Sequence, residues 1–437
     1  MAKPTLTHYL NADFDLGLRP RPAWQGRASV RRQVEQLSAQ AMLGADEHDS
    51  ALVRCHVPEE FLSYLHGQGI PAPRLLRHPE TDPQSRLSPL GWSVEAMELN
   101  RRHHKPVKHP APAVIEHTNS RSFSRDLEAE MYPSPPPGVI VTSTGEVESM
   151  LASGEPGEEW ILKAEHGNSG LANRRLRTPA LTDADDRFLA NALAEDDRLV
   201  VEPWLDRTRD WCVVFGVPFR PSEFRIHETV YTRDGAMIGA LFEPTETGSG
   251  PWYGELRAMA GQVAGCLEAE GYWGPVCVDA FEFRSDRDAA LRPLADLNCR
   301  RSMSDGAYRF WQRNAPDRCL YYRFFNCRKL SLPDTMPIMQ TALGEYAYDS
   351  KSRCGTLLAS PLRMGREREI RPSKLAVVFM AEDRTAAVKG WLDASQIARP
   401  TGDETEAWSA EQGTRFLFVI VQPYVLAQRL NLSVDHE

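Results

Sequence analysis

Two aspartates set inside apolar, strand-like segments constrain this chain more than any other feature. Asp279 lies mid-run in Gly274-Pro-Val-Cys-Val-Asp-Ala-Phe-Glu-Phe283, and Asp296 lies near the end of Leu291-Arg-Pro-Leu-Ala-Asp-Leu-Asn298, after a charged loop. Runs rich in valine, leucine and aromatics, separated by a polar turn, predict two paired strands. Side chains two residues apart share a sheet face, so Asp296, Asn298 and Arg300 point the same way. Burying Asp279 and Asp296 with neither metal nor partner would be costly. Two carboxylates and an amide converging across a hairpin suit Mg2+ (or Mn2+), a hard cation that takes oxygen ligands and shares its shell with phosphates. The alternative is a buried ion pair with Arg300 or Arg301.

Two other segments carry chemistry in an ordered way. The strand Trp160-Ile-Leu-Lys163 runs into His166-Gly-Asn-Ser-Gly170. Glycines let backbone N–H groups approach phosphate oxygens, and a lysine at the strand end adds a positive charge within reach. A plain surface hairpin turn is the competing reading of Gly167, Asn168, Ser169 and Gly170. The second segment is Val200-Val-Glu-Pro-Trp-Leu205, with Asp210 eight residues after Glu202. A strand ending in an acidic and an apolar pair offers backbone groups to a base, and a second carboxylate can accept hydrogen bonds from ribose hydroxyls. Both carboxylates could equally be solvated strand ends. The pattern G-x-x-x-x-G-K-[ST] is absent, which leaves a P-loop unsupported.

Taken in order, Lys163 with its glycine-containing loop, Glu202 with Asp210, Asp279, and Asp296-x-Asn298-x-Arg300 resemble the ATP-grasp superfamily. The resemblance spans roughly residues 113–330. It implies an α+β, ATP-grasp fold: two α/β subdomains clamping a nucleotide, preceded by a small α/β domain over residues 1–112. It also implies that Lys163 holds the α- and β-phosphates and that the loop from His166 to Gly170 closes over the triphosphate. Glu202, Trp204, Leu205 and neighbouring backbone would frame adenine, and Asp210 would take ribose. Asp279, Asp296 and Asn298 would hold Mg2+, and Arg300 would face the reacting groups. The superfamily's usual Glu is Asp296 here, one methylene shorter, and its earlier lysine has no obvious counterpart. Arg121 or Arg125 lies roughly where that lysine would stand. The implied reaction is activation of a small-molecule carboxylate by ATP as an acyl phosphate, followed by attack of an amine or thiol. A small-molecule kinase and a non-catalytic nucleotide-binding module are the alternatives.

The rest of the sequence bounds this reading. The chain has 437 residues, 42% hydrophobic and 25% charged, as expected of a globular protein of two or three domains. A net charge of −9 argues against nucleic-acid or anionic-membrane partners. Eight scattered cysteines, with no C-x-x-C pair, fit a reducing cytosol and suggest no zinc site. No apolar leader or membrane-length run is visible, so a cytoplasmic location is expected. The basic, proline-rich stretch 101–112 marks a domain boundary, and residues 331–437 form a β-rich extension without a readable motif. Histidines, His166 and His227 among them, read as structural or solvated. Helices are predicted at about 30–43, from Pro58 to about Gly67, after Asn119 or Ser120, after the capping box at Ser143, and at about 255–270. Residues 1–50 begin irregularly, and Pro79–Pro89 reads as a polar loop.

Overall fold

The computed structural model describes residues 5–383 except 20–27, 104–105, 133–137, 156, 168–172, 232–236, 245–249, 286–288, 327–334, 345–346, 365–371 and 373. Asn168, Ser169 and Gly170 therefore lie outside the described residues. So do the turn expected at 233–235, the helix expected at 385–392 and the strand expected at 415–421.

Sixteen strands lie in three sheets among the described residues. The first is parallel, in the order β3-β2-β1-β4, with β1 Leu6–Tyr9, β2 Ser50–Val53, β3 Arg74–Arg77 and β4 Arg86–Pro89. Around it run α1 Phe14–Gly17, α2 Ala28–Ser38, α3 Ala41–Gly44, α4 Glu59–Gly67 and α5 Val94–Arg101. Two expectations fail here. The irregular start contains β1, a central strand, and the polar loop ends in β4. Hydropathy hides β1 because two of its four side chains are polar and satisfied in the interior. Thr7 bonds Ser85, and His8 Nε2 lies 3.0 Å from Asp49 Oδ2. The helix expected over 30–43 is broken into α2 and α3.

Next come α6 Pro112–Thr118 and α7 Arg121–Met131. Ser120, not Asn119, caps α7, its Oγ accepting from Phe123 N at 3.1 Å. The second sheet has the order β5-β8-β6-β7, built from β5 Val139–Val141, β6 Glu159–Ala164, β7 Asn173–Arg177 and β8 Leu199–Pro203. It is covered by α8 Thr144–Ser153, where Ser143 Oγ accepts from Glu146 N as expected while the Glu146 carboxylate accepts from Thr142 N, and by α9 Asp183–Asp196. Val147, Leu151 and Leu189 from these helices pack on Val141, Leu162 and Val201 of the sheet.

The third sheet is antiparallel throughout, in the order β13-β12-β9-β10-β11-β14-β16-β15. Its strands are β9 Arg207–Val217, β10 Arg225–Tyr231, β11 Met237–Phe242, β12 Gly274–Arg284, β13 Ala289–Asn298, β14 Cys319–Asn326, β15 Gly355–Leu358 and β16 Lys374–Ala381. The last two strands come from the C-terminal extension and complete this same sheet. Helix α10, Tyr253–Ala269, presents Leu256, Met259, Ala260, Val263, Ala264 and Leu267 at helical spacing. That stripe packs on Val213, Phe215, Val276, Val278 and Ala280. Period-two alternation then turns Cys212, Cys277 and Asp279 to the opposite face, away from α10. The remaining helices, α11 Asp305–Asn314 and α12 Met336–Leu343, join α3 and α4 in one core with β14–β16. No helix among the described residues is long and apolar enough to cross a membrane.

Helix α7 packs against both β8 and β13 and so ties the two antiparallel sheets together. Replacing its cap, Ser120→Ala, is expected to lower stability by about 1 kcal/mol, because Phe123 N loses its acceptor. A urea midpoint that falls at unchanged slope checks this.

Candidate active site

The α10-distal face of the third sheet carries a row of side chains set by strand register. His227 of β10 faces Cys212 of β9, Cys212 faces Asp279 of β12, and Asp279 faces Asp296 of β13. One step along, Cys277 faces Asn298. This face and the end of the second sheet enclose a cleft of about 110 Å3. Lys163 and Gly167 line it from one side, and Asp279, Asp296, Asn298 and Arg300 from the other. The three oxygen-bearing side chains expected to converge are therefore together, opposite the lysine.

Asp279 and Asp296 are direct cross-strand neighbours, an arrangement in which like charges repel. Burial, and then the facing Asp296, push the Asp279 carboxyl well above its ordinary value. One cation already answers Asp296: Arg121 Nη1 lies 2.5 Å from Asp296 Oδ1. Of the two arginines weighed for the earlier cation, Arg121 lines the cleft. Arg125 does not, since its Nε donates to Gly138 O. A second, divalent cation among Asp279, Asp296 and Asn298 would offset the remaining repulsion. The donor set is all oxygen, which fits Mg2+.

Arg300 is held at three points. Its Nε donates to Asp15 Oδ1 at 2.8 Å, Nη2 to Asn298 Oδ1 at 2.9 Å and Nη1 to Arg301 O at 3.0 Å. Asp15 belongs to α1, so the parallel-sheet region fixes an arginine of the cleft. No sequence signal marked Asp15.

Several expected contacts are not made as anticipated. Glu202 does not line the cleft. Its carboxylate is the hub of a buried ion-pair chain, 2.7 Å from Lys163 Nζ and 2.9 Å from Arg292 Nη1. Arg292 in turn grips Glu128 of α7 through two 2.6 Å bonds. Burial alone would raise the Glu202 carboxyl, but the Arg292 and Lys163 charges outweigh it and hold the group at about 2. Burial lowers the Lys163 amine, with Glu202 opposing. Asp210 is buried 3.2 Å from Arg207 Nη1 and is not among the cleft residues. His166 turns its side chain into the interior, where burial lowers its ring to about 4, and its carbonyl accepts from Arg19 Nε. Trp204 does line the cleft, with the Arg175 guanidinium 4.6 Å from its ring centre. Leu205 packs instead against Phe281 and Phe283. Sequence reasoning missed Arg292 because its partners, Glu128 and Glu202, come from distant segments of the chain. It missed Cys212 because only strand register places it beside Asp279.

A family model described as a protein of unknown function (DUF2288) matches residues 374–429, starting at β16. No curated protein matches the chain. Among solved structures, a biotin carboxylase–βγ-ATP complex from Campylobacter jejuni superposes with a TM-score of 0.51 at 12% identity, covering 95% of this chain and 95% of that one. The biotin carboxylase domain of a 2-oxoglutarate carboxylase from Hydrogenobacter thermophilus, with MgADP, ADP and bicarbonate, gives 0.49 at 13%, covering 91% and 90%. An N5-carboxyaminoimidazole synthetase from Staphylococcus aureus, with ADP, gives 0.48 at 10%, covering 82% and 94%. The first of these likenesses establishes the fold, that of the ATP-grasp enzymes.

Two outcomes are expected of the ion-pair chain. Arg292→Ala leaves Glu128 and Glu202 without their shared cation and should cost about 3–5 kcal/mol by chemical denaturation. The folded value of Glu202 lies below its ordinary 4.5, so its stabilisation is complete above that pH and is lost as pH falls towards 2. Glu202→Gln should therefore flatten the fall of the urea midpoint across that window.

Proposed function

We propose that this chain of ATP-grasp fold binds Mg-ATP between its two antiparallel sheets and uses it to activate a small-molecule carboxylate for attack by an amine or related nucleophile. The observation that carries this reading is the facing pair Asp279–Asp296, joined by Asn298 and opposed by Lys163, in one cleft. Asp279, Asp296 and Asn298 would hold Mg2+, which supplies charge neutralisation along the β- and γ-phosphate oxygens when bound.

The chain's own residues do the rest. Lys163 turns its ammonium from Glu202 to the phosphates, and Glu202 stays paired through Arg292, so no buried charge is stranded. Arg121 keeps Asp296 aligned and adds positive charge at the phosphate end. Gly167 lets backbone approach closely, and Trp204 offers a flat face to the base. A carboxylate oxygen of the substrate attacks the γ-phosphorus, the bond to the β–γ bridging oxygen breaks, and ADP leaves. The amine then adds to the acyl carbon, phosphate departs and the amine proton goes to solvent. Arg300, immobilised by Asp15 and Asn298, faces the oxygen on which charge develops. Positioning and charge supply most of the rate, so no nucleophilic side chain is needed. Residues 1–112 and the turn after Arg300 would shape the acceptor pocket.

The test is release of ADP and phosphate with Mg-ATP across a panel of amino acids and small carboxylates, each with and without an amine. Turnover that requires both substrates, and is lost in Asp296→Ala and Asn298→Ala with the fold intact by circular dichroism, is expected. ADP with a phosphorylated acceptor and no amide would make the protein a kinase. Wild-type turnover in both variants would remove the site assignment.

A further inference from the structure

Beside the oxygen donors, the same cleft holds sulfur. Cys212 Sγ lies 3.2 Å from Cys277 Sγ, and these two atoms and an Asp279 carboxylate oxygen all lie within 4.8 Å of one another. Both thiols are almost fully buried, at 1% and 4% exposure, yet both line the cleft and so can be reached from it. Two thiolates 2.3 Å from a tetrahedral ion stand about 3.8 Å apart, so a small side-chain rotation opens the pair to that spacing. His227, register partner of Cys212, is buried and hydrogen-bonds Ser304 Oγ through Nε2 at 2.7 Å. Its Nδ1 has no hydrogen-bond partner among the described residues. A ligating imidazole is held in this way, one nitrogen fixed by a hydrogen bond and the other free.

We infer that Cys212, Cys277 and Asp279 form a binding site for a thiophilic divalent cation of the Zn2+ class, with the fourth position towards His227. Thiolate donors select such ions, whereas the all-oxygen set on the β13 side suits Mg2+. As each sulfur–metal bond forms, its thiol proton passes to solvent. Asp279 is common to both sets, so an ion drawn to the sulfurs removes a ligand from the Mg2+ site. That consequence rests on the proposed function, whereas the site itself does not.

The experiment titrates the full chain with Co2+ in the absence of nucleotide. One equivalent should produce near-ultraviolet sulfur-to-cobalt charge-transfer absorption that Zn2+ abolishes. Cys212→Ser and Cys277→Ser should each weaken binding at least about tenfold, while Cys299→Ser, buried outside the cluster, leaves it unchanged. Zinc-edge X-ray absorption on the wild type, which needs no variant, should show two sulfur neighbours at about 2.3 Å. An all-nitrogen/oxygen shell, or a charge-transfer band surviving in the doubly substituted chain, overturns the site. Zn2+ binding of this kind in a chain that, freed of Zn2+ and supplied with Mg2+, still turns over no ATP would leave the site standing and count against the nucleotide reading alone.

Discussion

Two carboxylates facing each other across adjacent strands are the constraint on which this architecture turns. Asp279 and Asp296 share a register position and a buried face, and one of them already has the Arg121 guanidinium. Such a pair is unfavourable unless positive charge is supplied to it. The sheet tolerates it because its opposite face carries an apolar cluster packed on α10. Stability on one face underwrites a strained charge arrangement on the other.

Charge continuity links that face to the rest of the cleft. Lys163, Glu202, Arg292 and Glu128 form an alternating chain from the second sheet, through β13, into α7. Each member is buried, and each has an opposite charge within hydrogen-bond distance, so no single charge is stranded. The same logic fixes Arg300, whose partner Asp15 comes from the parallel-sheet region. Two arginines of one strand and the turn beyond it thus anchor three parts of the fold to the same edge.

Local signals were legible where the physics is local. Ser143 and Ser120 announce their helices because the cap bond is made within four residues. The strands expected over 274–283 and 291–298 match β12 and β13 to within two residues because burial imposes branched and aromatic side chains on them. Strand β1 was illegible because Thr7 and His8 are satisfied by Ser85 and Asp49, residues far along the chain. The ion pairs of Glu202 were illegible because nothing in its own segment reveals Arg292.

What the sequence by itself determined is the inventory and its alternation: Asp279 on a buried strand, Asp296, Asn298 and Arg300 on one face, Lys163 at a strand end. Tertiary structure decided who meets whom. Register between β9 and β12 sets Cys212 beside Asp279, packing of α7 against β8 and β13 brings Glu128 and Glu202 to Arg292, and docking of α1 delivers Asp15 to Arg300. The reason is that period and composition are properties of a segment, whereas pairing of buried charges depends on which segments are brought within a few ångströms.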